Sequence, residues 1–257
     1  MASTWATLTV DDAPMQTHVA VPSGDGPFPA VVVAQHAGGV DAFIQNVCHR
    51  LAEVGYAAAA PDLYHRQERD ISFEEIIALK RGDPRRDEVV PALMAGLLDE
   101  EMVKDMNAAI EHLASLPGGN RSAVGVTGFC MGGRVAYLMA TRNARLKAAA
   151  CFYPGSPFES LGGGPSPFAA SDRIMCPMLG FFGKEDGDPS QADMVRIDAE
   201  LTRLRVEHTF HAYEGAGHAF MDHTNPKSYR EHAANDAWPK LITFFDEKLK
   251  AGAGAGR

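Results

Sequence analysis

Residues 30–35, AVVVAQ, form a continuous apolar run of strand length after Pro29. An unbroken run, rather than strict alternation, is the pattern of a strand covered on both faces, as in a mostly parallel sheet. The period then changes. Phe43, Val47, Leu51 and Val54 recur every three or four residues in FIQNVCHRLAEVG, which predicts an amphipathic helix that Gly55 ends. Residues 56–60 read as the next strand. The alternation returns as a strand over 123–127, a helix from Met131, strands over 147–153 and 178–182, a helix over 192–204 and a strand over 207–213. These elements predict an α/β chain with a doubly wound, mostly parallel sheet flanked by helices.

Two stretches interrupt the alternation. Residues 64–86 are rich in charge and run into RGDPRRDE before a long helical stretch over 93–116. They read either as an excursion covering a site or as a solvated loop and helix. The segment LGGGPSPFAASD around Gly162 to Gly164 reads as a second loop. The terminal AGAGAGR, residues 251–257, has too little apolar surface to order itself and reads as a flexible tail behind a single domain over 1–250. Composition narrows the function classes. A chain of 257 residues with 46% apolar content can bury one sizeable core, and a net charge of -9 without a concentrated Lys/Arg tract argues against nucleic acid and anionic membranes as partners. With no basic start followed by an apolar run, and no stretch near the roughly 20 apolar residues of a membrane span, the expected location is cytoplasmic. Cys48, Cys130, Cys151 and Cys176 form no CxxC pair, which argues against a zinc site and a disulfide framework.

The chemistry concentrates at VGVTGFCMGG, residues 124–133, where Cys130 sits between glycines after an apolar run and before a helix. A nucleophile on a sharp strand-to-helix turn needs small neighbours, here Gly128, Gly132 and Gly133, so that the backbones can pass. The turn also aims the Met131 amide at the reacting centre, as half of an oxyanion hole. A thiol nucleophile needs a base and a group to orient it. Of ten histidines, His218 in EGAGHAF has the best setting, a loop of small residues just after a strand. Asp186 in FFGKEDGDP follows the strand over 178–182 and projects from its carboxyl end, and Asp188 two residues on is its competitor. The order nucleophile, acid, histidine matches that of α/β-hydrolases.

With these residues in place, the chain resembles the dienelactone hydrolase family over roughly residues 15 to 248. The resemblance rests on AQHAGGV, APDLYHR, GFCMGG, GKED and GAGHAF in that order. It implies an α/β-hydrolase fold and a thiol hydrolase. Cys130 would be the nucleophile, His218 the general base and then acid, Asp186 the group that fixes the imidazole tautomer, and the Ala37 amide the second oxyanion donor. An ester or lactone would acylate Cys130 and water would release the acid, with no cofactor or metal.

Two positions depart from the family pattern. His36 stands where similar members carry a glutamate that takes part in activating the thiol, so it is read as shaping the pocket or tuning the sulfur. Asp222 stands where an arginine would grip a substrate carboxylate, leaving Arg66, and after it Arg81, as cationic candidates for that contact. The leading expectation is a carboxylic-ester or lactone hydrolase with a small-molecule substrate, as monomer or homodimer. The alternatives are an inactive binding module and a redox-sensing thiol protein on the same fold.

Overall fold

The computed structural model describes residues 1–67, 70–80 and 82–250. The tail over 251–257 and Arg81 lie outside the described residues. Eight strands, β1 (Ala2–Val10), β2 (Ala13–Val21), β3 (Phe28–Ala34), β4 (Ala57–Pro61), β5 (Gly119–Phe129), β6 (Ala148–Phe152), β7 (Met178–Gly183) and β8 (His208–Tyr213), make one sheet in the order β1-β2-β4-β3-β5-β6-β7-β8. The pairings from β4 through β3 to β8 are parallel, and those of β2 with β1 and with β4 are antiparallel. The helices are α1 (Ala42–Glu53), α2 (Phe73–Ala78), α3 (Pro84–Ala95), α4 (Asp99–Ser115), α5 (Met131–Arg142), α6 (Gln191–Leu204) and α7 (Glu231–Phe245).

The unbroken apolar run of β3 has a direct packing cause. Ala30, Val32 and Ala34 face a core shared with α4, α5 and α6, while Val31 and Val33 face a second core shared with α1 and α7. Side chains alternate across a strand, so a strand with helices on both faces has no polar side. Helix α1 follows β3 as its period predicts. Asp41 caps it by accepting the Phe43 and Ile44 amides, and Gly55 at φ +95° takes the chain out of the helix. None of the helices among the described residues is long and apolar enough to cross a membrane.

Two features differ from the pattern reading. The hairpin β1–β2 precedes the first predicted strand and adds an antiparallel edge. Its two-residue turn, Asp11 and Asp12, holds both residues at positive φ, which matches the twist of the flanking strands. Only Val10 of β1 is buried, so the strand carries almost no apolar signal and exists by its ladder with β2. The predicted helical stretch over 93–116 is broken in two. Helix α3 stops at Gly96, whose bare Cα lies against the Gln67 side chain and whose carbonyl accepts from Gln67 Nε2 at 2.7 Å. Helix α4 begins at Asp99, whose amide donates to the Leu161 carbonyl at 2.7 Å. Both breaks depend on segments distant in sequence.

Candidate active site

The carboxyl ends of the parallel strands converge on one cleft, the usual place for a site in an open α/β sheet. Strand β5 delivers Cys130 at φ 59° and ψ -121°, a conformation that costs a residue with a side chain about 1–3 kcal/mol. The surroundings hold it there. The Cys130 amide donates to the Phe152 carbonyl at 3.1 Å, and its own carbonyl accepts from the Arg134 and Gly155 amides at 3.2 and 3.3 Å. A Cβ at Gly132 would run into the carbonyl oxygens of Ala34 and Gln35, and one at Gly133 into that of Phe152. The glycines therefore let α5 start directly against β3 and β6. No side chain caps the start of α5, and the Met131 amide is directed at the Cys130 sulfur.

His218 comes from the loop after β8 and Asp186 from the loop after β7. The Asp186 carboxylate is buried, and its Oδ2 lies 2.9 Å from His218 Nδ1, leaving Nε2 for the sulfur. Asp188 is committed elsewhere. Its carboxylate accepts the Ser156 amide at 2.9 and 3.1 Å and the Ser156 hydroxyl at 3.0 Å. Burial alone would lower the His218 pKa, but the hydrogen bonds to Asp186 and Cys130 outweigh it and raise it to about 10. Burial alone would likewise push the Cys130 thiol up. The hydrogen bond and charge of His218, then the charge of His36 and the Met131 amide, bring it below the ordinary thiol value. The two shifts agree on their direction: a thiolate–imidazolium pair, titrating as a unit.

The second oxyanion candidate, Ala37, sits in the turn after β3. The Tyr64 hydroxyl donates to the Ala37 carbonyl at 3.0 Å and lies 3.8 Å from the Met131 sulfur. One buried phenol thus touches both residues expected to form the oxyanion hole, a feature the sequence reading of APDLYHR missed. Tyr64→Phe is expected to lower kcat by about tenfold with KM little changed, because the Ala37 peptide loses its tether. Steady-state kinetics on an activated ester measures both constants; an unchanged kcat would remove Tyr64 from this role.

The cleft is a cavity of about 260 Å³, room for a small substrate. Its walls include Cys130, His218, His36, Phe43 and Tyr153, and α3 contributes Arg86, Val90 and Pro91. Part of the charged excursion and the helix after it therefore covers the site. Arg66 does not reach the cavity. Its guanidinium binds Asp105 at 2.7 Å and Asp11 at 3.0 Å, beside the His65–Asp105 contact. The arginine that does line the cavity is Arg86, in the first turn of α3. Asp222 is also in the wall, buried, with Oδ1 accepting the Thr224 amide and hydroxyl.

The sequence pattern of the dienelactone hydrolase family matches residues 15–249. The chain belongs to this family. It is thereby a hydrolase acting on ester-type bonds, with the α/β-hydrolase fold. This family member is 33% identical to a Synechocystis sp. protein named "Putative carboxymethylenebutenolidase" over 252 residues, covering 96% of this chain and 98% of that one. A protein of the same name from Escherichia coli K12 is 32% identical, with 90% and 81% covered. A solved Klebsiella pneumoniae structure, named "Putative Dienelactone Hydrolase", superposes with a TM-score of 0.82 at 28% identity, covering 95% of this chain and 99% of that one. The Pyrococcus horikoshii acylaminoacyl peptidase, at 16% identity and a TM-score of 0.72 over 96% of this chain and 42% of that one, shares the fold alone.

Proposed function

We propose that the protein hydrolyses small carboxylic esters or lactones through a thioester on Cys130. The observation that carries this reading is the joined chain Cys130, His218 and Asp186: a strained thiol at a helix start, coupled to an imidazole whose other nitrogen is held by a buried carboxylate. The Cys130 sulfur attacks the carbonyl carbon, and the negative charge moves to the carbonyl oxygen, which the Met131 and Ala37 amides stabilise in this reading. The intermediate collapses, the alkoxide leaves with the proton from His218 Nε2, and the acyl group stays on sulfur. Neutral His218 then takes a proton from water, whose oxygen attacks the thioester. Expulsion of the thiolate releases the acid and restores the resting pair.

The test is to trap the intermediate. Wild-type protein mixed with p-nitrophenyl acetate and quenched in acid should carry one acetyl group, located on Cys130 by peptide mass spectrometry. Turnover with no acyl group on Cys130, even in a variant slowed at deacylation, would refute the mechanism. Asp186→Asn should lower kcat by about 10³-fold, because the amide can present its N–H to Nδ1 and hold the imidazole in the wrong tautomer. Wild-type rates for that variant would remove Asp186 from the site.

A further inference from the structure

Cys130 shares its cavity with two histidine–carboxylate pairs. The first is His218 with Asp186. The second is His36 with Asp41, where Nε2 lies 2.8 Å from Oδ2 and both side chains are largely buried. His36 lines the cavity together with Cys130 and His218, and its neighbour in the chain is Ala37.

The second pair is rigidly built. Asp41 is the N-cap of α1, and its Oδ1 accepts the Phe43 and Ile44 amides at 3.1 and 3.3 Å. The Phe43 ring packs edge-on against His36 with centroids 5.8 Å apart. The turn between them closes with the Gly39 amide donating to the His36 carbonyl at 3.0 Å. A Cβ at Gly38 would meet both the His36 ring and the Arg86 guanidinium, so the two side chains pack against that bare stretch of backbone.

We propose that His36, oriented by Asp41, is a second electrostatic partner of the Cys130 sulfur and stabilises its thiolate alongside His218. This rests on the reading of Cys130 as the nucleophile. The charge of His36 acts on the sulfur in the same direction as that of His218, against the burial that would keep the thiol neutral. Burial works to raise the Asp41 pKa, yet His36, the Ile44 amide and Arg86 hold it below the usual value, so a carboxylate faces the ring at neutral pH. The other ionisable groups around His36 are Arg86 and Asp87 from α3, His218 and Asp222 from the loop after β8, and His223 on Phe43.

The experiment follows the rate of Cys130 alkylation by iodoacetamide against pH, in the wild type, His36→Gln and Asp41→Asn. Modification is located by mass spectrometry, since Cys48, Cys151 and Cys176 are buried. Glutamine keeps a polar side chain of similar reach opposite Asp41 without an ionisable ring. In His36→Gln the midpoint should move up by about one pH unit, which slows alkylation about tenfold below the midpoint and leaves the alkaline plateau unchanged. Asp41→Asn should move it in the same direction. The kcat/KM for p-nitrophenyl acetate should follow the same curve and recover at alkaline pH. An unmoved midpoint with kcat reduced equally at every pH would overturn the proposal and leave His36 as a brace for the Ala37 turn. Failure of the underlying reading looks different: full alkylation of Cys130 with turnover intact would refute the nucleophile itself, whatever His36→Gln does.

Discussion

Cys130→Ala is expected to lower kcat/KM for an activated acyl ester by about 10⁴-fold while leaving the fold intact. The size follows from the division of labour in the cleft. With the sulfur gone, no covalent intermediate forms, and His218 has only water to activate from a position set for attack on a bound acyl group. What survives is the contribution of the two amides and of substrate binding, which sustains a small residual rate over water in enzymes of this type. Stability should change little. Alanine removes one partly buried sulfur, and the Cys130 backbone bonds to Phe152, Arg134 and Gly155 remain. A panel of p-nitrophenyl esters together with dienelactone, with circular dichroism as the check on folding, separates the outcomes. Activity that disappears with the sulfur ranks the substrates of a thiol hydrolase; activity that persists in the alanine variant removes Cys130 from the chemistry.

Arg134→Ala should cost about 3–5 kcal/mol of stability, the penalty for leaving a buried carboxylate without its partner. Arg134 lies one turn into α5, just behind the elbow. Its guanidinium binds both oxygens of Asp99, at 2.5 and 3.1 Å, with both side chains buried, and also donates to the carbonyls of Ser156 and Glu159. Asp99 in turn accepts the Leu161 amide. One arginine therefore joins the start of α4, the elbow helix and the loop over 155–161 on which Asp188 also closes. Urea denaturation should show the midpoint falling with the slope preserved. A loss below about 1 kcal/mol would mean that water replaces the pair at little cost. The double replacement Asp99→Leu with Arg134→Met should recover much of the loss, because an apolar pair leaves no charge stranded.

His218 and His36 both oppose the burial that disfavours a thiolate, and they are held by Asp186 and Asp41 from different elements, the loop after β7 and the cap of α1. The His218 shift also carries a stability consequence. Its pKa is raised in the folded protein from 6.5 to about 10, so the stabilisation it represents is complete below about pH 6.5 and is lost as the pH rises toward 10. Cys130, with its thiol lowered, runs in the opposite sense, stabilising the fold as the pH rises toward the ordinary thiol value. The two contributions therefore run in opposite senses as the pH rises from neutral.

Much of this protein is legible in its sequence because the responsible patterns are local. The apolar run of β3 and the period of α1 are set by which faces are covered. The glycines around Cys130 mark where backbones pass close together, and GKED and GAGHAF follow strands whose carboxyl ends meet at one edge. The hairpin β1–β2 escaped because an edge strand with one buried side chain has little apolar signature. The break between α3 and α4 escaped because Gln67 and Leu161, which accommodate it, are distant in the chain. The choice of charged side chains at the site was decided by tertiary structure alone. Arg66 and Arg86 look alike as letters in charged segments, yet Asp105 and Asp11 hold the first away from the cleft while α3 carries the second into its wall. The sequence patterns single out neither Asp41 nor Tyr64. Only the fold brings Asp41 against His36 and the Tyr64 hydroxyl against Ala37, because the partners of a buried polar group are fixed by the packing of several elements at once.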